Sequence, residues 1–234
     1  MKVAIIMGSN SDWPILEPAE KTLKEFGVEV EVVVASAHRT PDVVHEFAAG
    51  ARERGVEVII AAAGAAAHLG GVIAAYTTVP VIGIPINATP LGGMDALLSF
   101  VQMPSGIPVA TMAINGAKNA ALFAVQILAT KYPELVDKLA DNRLKMQEEV
   151  KAKQAELEAT EYQGSSGSGM VEVTMTGKHE ITALHIKPEA VDPDDVEMLE
   201  DLIAAAINDA VRAVDEAADT EMGKLTNGMN IPGL

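Results

Sequence analysis

At 234 residues the chain is long for one compact domain and comfortable for two, and its 49% of hydrophobic residues are those of a folded protein. Only 3% of residues are aromatic, so the core has to be built from Ala, Val, Ile, Leu and Met; cysteine is absent, which excludes disulfides and thiolate metal sites and fits a reducing cytoplasm. Charge is uneven: residues 1–130 carry 7 Lys/Arg against 11 Asp/Glu, a net of −4, and residues 131–234 carry 10 against 22, a net of −12, so the second part repels nucleic acid.

After Met1 and Lys2 the apolar run Val3–Met7 is too short for a signal-peptide core and reads as a first strand. Val28–Val34, Val58–Ala63, Val79–Ile84 and Val109–Ala113 repeat the pattern, each followed by a turn and a helix-compatible stretch. Such runs predict a three-layer α/β fold, flavodoxin- or Rossmann-like, with a parallel sheet between helices and ligands bound beyond the carboxyl ends of the strands. From Val58 to Met94 there is no Asp, Glu, Lys or Arg, long enough to raise the question of a membrane span, but glycines and prolines such as Gly64, Gly70, Pro80, Pro85 and Pro90 cut the run into strand- and helix-sized pieces. Asp95 is the only acidic or basic residue from Val58 to Ala117, so part of this surface is expected to face other subunits of a homo-oligomer.

A helix is expected from about 117 to 130, then Pro133 suits the first turn of another. Residues 134–162 hold neither Gly nor Pro and predict one continuous helix of about 43 Å, with a sparse apolar stripe of Val136, Leu139, Met146, Val150 and Leu157. The run Gln163-Gly-Ser-Ser-Gly-Ser-Gly169 has the composition of a flexible linker and equally that of a mobile loop. Val171–Thr176 and Ile181–Lys187 alternate around Gly177-Lys178 as a hairpin, and Asp192-Pro-Asp-Asp195 opens a helix expected to reach about Met222, with a frayed tail over 227–234. The predicted organisation is therefore a domain over 1–133, a long helix over 134–162 and a small α+β helix-hairpin-helix unit over 163–234. The last has so thin a core that dimerisation is expected.

Three predicted strand ends carry chemistry. After the first stands Gly8-Ser9-Asn10-Ser11-Asp12-Trp13-Pro14, where Ser11 or Asp12 can cap and the helix start can hold a phosphate; taken alone, the same pattern is also an ordinary capped turn. After the second stands Ser36-Ala37-His38-Arg39-Thr40-Pro41, with a planar cation suited to phosphate or carboxylate and an imidazole that moves protons near neutral pH. After the third, Gly64-Ala-Ala-Ala-His68-Leu69 lets a substrate approach the backbone. Together Ser9, Asp12, His38, Arg39 and His68 predict an enzyme site for a phosphorylated small molecule.

At these residues the sequence resembles the PurE family, 5-(carboxyamino)imidazole ribonucleotide mutase of purine biosynthesis. The likeness rests on Met-Gly-Ser-Asn-Ser-Asp at 7–12, Ser-Ala-His-Arg-Thr-Pro at 36–41, Ala-His-Leu at 67–69, Val-Gln-Met-Pro-Ser-Gly-Ile-Pro-Val at 101–109 and Ala-Lys-Asn-Ala-Ala at 117–121, and covers about residues 1–150. The resemblance implies an octamer and the movement of a carboxylate from the exocyclic nitrogen of an imidazole ribonucleotide to a ring carbon, with no metal, ATP or biotin. It assigns Ser9, Asp12 and Arg39 to the ribonucleotide, Ser11, Ser36 and the Gly64 loop to the rest of the pocket, His38 to acid/base work and His68 to holding the carboxylate or carbon dioxide. Where the family usually has Gly-Gly-Ala-Ala-His-Leu-Pro-Gly, this chain has an extra methyl at Ala65 and what reads as a looser hinge at Gly70. Both departures bear on turnover and on the balance between the mutase reaction and the direct carboxylation performed by the family's second class.

From about residue 145 onward the sequence resembles the YbaB/EbfC nucleoid-associated family, through Lys145-Met-Gln-Glu-Glu149, Gly169-Met-Val-Glu-Val-Thr174, Leu184-His-Ile-Lys-Pro-Glu189, Glu200–Ala210 and the Gly-Met-Asn-Ile-Pro-Gly tail. That resemblance implies a two-fold dimer and, in the family, association with DNA, which 4 Lys/Arg against 17 Asp/Glu over residues 156–234, a net of −13, oppose. His179 and His185 have no paired ligand spacing and read as surface residues. The end of the first part runs without a break into the start of the second, so the chain reads as a fusion through one shared helix, of the kind an engineered assembly uses, with itself as its partner.

Overall fold

In the computed structural model, which describes residues 1–225, the chain divides into two compact units that meet inside one helix, Met1–Asp141 and the residues from Asn142 on. The tail expected to fray, 227–234, lies outside the described residues. Among those described, no helix is long and apolar enough to cross a membrane.

The first unit alternates strand and helix: β1 (Lys2–Met7), α1 (Trp13–Glu25), β2 (Glu29–Val34), α2 (Pro41–Ala49), β3 (Val58–Gly64), α3 (Leu69–Tyr76), β4 (Val81–Ile86), α4 (Met94–Val101), β5 (Ala110–Thr111) and α5 (Ala117–Ala129). The strands form one parallel sheet in the order β2-β1-β3-β4-β5. Side chains of a strand alternate between faces, so each run of Val and Ile feeds two cores. Val3, Ile5 and Met7 of β1, with Ile60 and Ile84, pack under α1 and α5; Ala4 and Ile6, with Ile59 and Ala61, pack under α2, α3 and α4. The central strands are buried on both faces, as expected. β2, at the sheet edge, is instead half exposed and keeps Glu29 and Glu31, which pair with Lys2. The expected fifth strand shrinks to two residues: Ala110 and Thr111 take a strand register on β4, and after them the Met112 N–H donates to the Gly83 carbonyl at 2.8 Å.

Small residues in this unit make room for a large one. Phe100 of α4 is fully buried, and a Cβ at either Gly70 or Gly83 would run into its ring. Gly70 is therefore a packing residue in the first turn of α3 and not the looser hinge expected of it.

The long helix, α6, spans Glu134–Ala159, three residues shorter than expected. Its inward residues are also shifted: Leu135 is buried and Leu139 half-buried in the first unit's core, whereas Val136 and Met146 are exposed.

In the second unit the Gly/Ser run is neither linker nor mobile loop. Glu161–Ser166 form β6, antiparallel to β7 (Val171–Thr176), which pairs in turn with β8 (Ile181–Ile186), so the expected hairpin supplies the central strand and one edge of a three-stranded sheet. The physical reason lies in the helix α7 (Val196–Leu225) packed across β6 and β7: a Cβ at Gly164 would collide with the α7 backbone at Ala206 and Ala210, so glycine alone permits this approach. Gly167, Ser168 and Gly169 then turn the chain with positive φ. Val171, Val173 and Met175 meet Ala206, Ala210 and Val214 to form the unit's core. Asp195 caps α7, accepting the Met198 N–H at 3.0 Å.

Candidate active site

In the order β2-β1-β3 the chain leaves β1 to one side and returns as β3 on the other, so the loops beyond their carboxyl ends diverge and open a crevice. Gly8 prolongs the pairing of β1 with β3 through its N–H to the Ala62 carbonyl. Ser9 then takes the extended conformation and caps a single 3-10 turn at Asn10–Asp12: its Oγ accepts the Ser11 N–H at 3.3 Å and the Ser11 hydroxyl at 2.8 Å. The cap is thus Ser9 rather than Ser11 or Asp12, and Asp12, just before α1, makes no side-chain cap bond. Asp12 is only 7% exposed. Burial pushes its carboxyl above the usual carboxylate range, against hydrogen bonds from Ser11 and the Ser9 backbone.

Beyond β2, the Arg39 N–H donates to the Ser36 Oγ at 3.3 Å, and the Arg39 guanidinium reaches over the end of β1 to donate to the Gly8 carbonyl at 3.2 Å. Beyond β3, Gly64 has no room for a side chain, since a Cβ there would lie 2.6 Å from the Cβ of Ala88 and 3.2 Å from the Ile86 carbonyl oxygen. Ala65 follows in the left-handed region, with φ of 53°. The chain then turns through the His68 N–H to the Ala66 carbonyl at 2.8 Å and enters α3. The turn brings His68 against His38: Nε2 of His38 and Nδ1 of His68 are 2.9 Å apart, with the rings edge-on at 76°.

The loops enclose a cavity of about 370 Å³. Ser9, Ser11, Asp12, Ser36, His38, Arg39, Gly64 and His68 all line it, so every residue singled out in the sequence comes to one place. Two contributors escaped the sequence. Ala88, after β4, closes one side and carries no chemical signature, and the Gly8 carbonyl anchors Arg39, a role visible only once β1 and β2 are neighbours. Among the described residues no cluster of three His, Asp or Glu side chains is arranged to hold a metal ion. Chemically the cavity offers hydroxyl donors and a guanidinium for an anion, and an imidazole pair for moving a proton.

Fold and site together define a parallel α/β protein whose crevice, at the switch point of its sheet, is lined by hydroxyl, guanidinium and imidazole side chains. The chain belongs to the AIR carboxylase family, whose model matches residues 2–149, and residues 135–229 match the YbaB/EbfC DNA-binding family. The first part is similar to N5-carboxyaminoimidazole ribonucleotide mutase of Pyrococcus abyssi, 61% identical over 142 residues that cover 61% of this chain and 82% of the relative. The mutase of Thermotoga maritima is 52% identical over 161 residues, 69% of this chain and 94% of the relative. Among solved structures, PurE of Treponema denticola superposes with a TM-score of 0.60 at 28% identity, covering 67% of this chain and 98% of that one.

Proposed function

We propose that residues 1–133 carry an N5-carboxyaminoimidazole ribonucleotide mutase of purine biosynthesis, working in the cytoplasm without metal or cofactor. The observation that supports it best is the His38–His68 pair at 2.9 Å inside a cavity also lined by Ser9, Asp12 and Arg39. In this reading Arg39 and the Ser9–Asp12 turn hold the ribonucleotide, while Ser11, Ser36 and the close-packed Gly64 loop shape the pocket around the imidazole. The N–carboxylate bond breaks as the exocyclic nitrogen takes a proton from His38, leaving carbon dioxide beside the aminoimidazole, a carbon–carbon bond forms at the ring, and the carbon becomes tetrahedral. His38 then takes the proton from that carbon and the ring regains its aromaticity; His68 orients the migrating carboxyl group. Incubating the full chain with N5-carboxyaminoimidazole ribonucleotide tests the reading. The carbon-carboxylated isomer is the expected product, and unchanged substrate overturns it.

A second reading concerns the whole chain. The two family matches overlap at 135–149, inside α6, so one helix, placed over 134–162 by sequence, satisfies both families. This supports a fusion designed for assembly, an octamer-former joined to a dimer-former over 163–234. Exposed Met94, Leu98 and Val101 on one face of α4, and Ile181 and Leu184 on β8, suit self-association in each unit. Light scattering and electron microscopy would show particles larger than an octamer; isolated octamers in solution contradict it. A DNA-binding role is the least favoured, given 4 Lys/Arg against 17 Asp/Glu over 156–234, and a shifted band in a low-salt gel assay would restore it.

A further inference from the structure

Thr40 stands at the cap position of α2, where a threonine hydroxyl ordinarily accepts an N–H from the first turn of the helix and contributes about 1 kcal/mol. Here it makes no such bond. Its Oγ1 turns back instead, accepting the Ser36 N–H at 2.9 Å and donating to the Ser36 carbonyl at 3.1 Å, while the Thr40 N–H donates to the same carbonyl at 2.8 Å. Three hydrogen bonds therefore pin residue 40 to residue 36. Inside this clasp lie only Ala37, His38 and Arg39, and a fourth bond, from the Arg39 N–H to the Ser36 Oγ, braces the middle. The helix loses a cap and the loop that carries the imidazole and the guanidinium gains a closed ring.

We infer that Thr40 is a positioning residue for the reaction, acting through the clasp to hold His38 against His68 and Arg39 against Gly8. The inference rests on the mutase reading for its kinetic consequences only. A displacement of about 1 Å at a reacting group can lower a rate roughly 100-fold, and the loop is exposed enough for water to take over part of the hydroxyl's work. Thr40→Val, which keeps the branched shape, is expected to lower kcat/KM by about tenfold or more, through a lower kcat from His38 and a higher KM from Arg39. Thr40→Ser, which keeps the hydroxyl, should restore both to within about threefold of the parent. Because the hydroxyl caps nothing, thermal unfolding of T40V should shift by no more than a few degrees.

The same variants are to be compared by 15N NMR of histidine-labelled full-length protein, where the ring nitrogens of His38 and His68 report their mutual hydrogen bond whether or not substrate turns over. Altered ring-nitrogen shifts in T40V, restored in T40S, support the clasp. Unchanged shifts in T40V overturn it, as do kinetics of T40S as poor as those of T40V. A parent protein that converts no substrate while T40V alters the shifts overturns the mutase reading and leaves the clasp standing.

Discussion

His38 Nε2 and His68 Nδ1 face each other across 2.9 Å, although their loops follow β2 and β3, strands separated in the sheet by β1. One of the two nitrogens must donate and the other accept, so the pair holds one proton between its rings. If His38 donates, its Nδ1 carries the lone pair and is the free base, and His68 is fixed as the tautomer protonated on Nε2. His38→Asn should lower kcat by about 10²- to 10⁴-fold, the usual range for a general base, with ribonucleotide affinity by calorimetry and assembly size retained. Turnover near the parent level would remove His38 from its role.

Asp12 sets binding against stability. Burial raises its carboxyl above the ordinary value of 3.8, so the native state holds its proton more tightly than the unfolded chain does. The sign follows: stability from this group is complete below pH 3.8, declines as pH rises through the raised value, and at neutral pH the ionised carboxylate is a net burden. Asp12→Asn should therefore be more stable than the parent at pH 7 and indistinguishable from it in strong acid, by chemical unfolding across pH. The same change should weaken substrate binding by about ten- to 100-fold, the worth of a hydrogen bond to a charged group.

The two departures from the family pattern call for opposite changes. Ala65 sits at φ 53°, where a Cβ is strained, so Ala65→Gly should gain about 0.5–1 kcal/mol of stability. Gly70 lies against the buried ring of Phe100, so Gly70→Ala, like the family's proline, should lose about 1–3 kcal/mol by overpacking. Thermal unfolding of the two variants checks both signs. A stable Gly70→Ala would mean that Phe100 can move aside.

The first unit was legible because its signals are local. Continuous Val and Ile runs mark buried parallel strands, and a ligand crevice at their carboxyl ends directs attention to Ser9, Asp12, His38, Arg39 and His68, all of which line one cavity. What the sequence hid depends on neighbours distant in the chain: the Phe100 ring that requires Gly70, the shortening of β5 to the two residues in register with β4, and the backward hydroxyl of Thr40, which by its place before Pro41 looks like an ordinary cap. The α6 stripe was displaced for the same reason, since a weak apolar pattern lets Leu135 rather than Val136 find the core.

Gly164 separates composition from structure most sharply. In the string Gln-Gly-Ser-Ser-Gly-Ser-Gly a glycine signifies freedom, and a linker would tolerate alanine. In the sheet it signifies closeness: β6 lies so near α7 that a methyl at 164 meets the backbone at Ala206 and Ala210, atoms that cannot rotate away as a side chain could. Ser165 and Ser166 add bonds to the same helix, through the Ser165 N–H to Asp209 at 3.1 Å and the Ser166 hydroxyl to the Leu202 carbonyl. Gly164→Ala should therefore cost at least about 1–3 kcal/mol in the second unit and loosen β6 from α7. The first unit's melting, and its turnover on the mutase reading, should stay as they are, since every residue that lines its cavity belongs to Met1–Asp141. Hydrogen exchange resolved by segment would show faster exchange over β6 and α7 in this variant; exchange equal to the parent's would mean that the Gly/Ser run behaves as a linker after all.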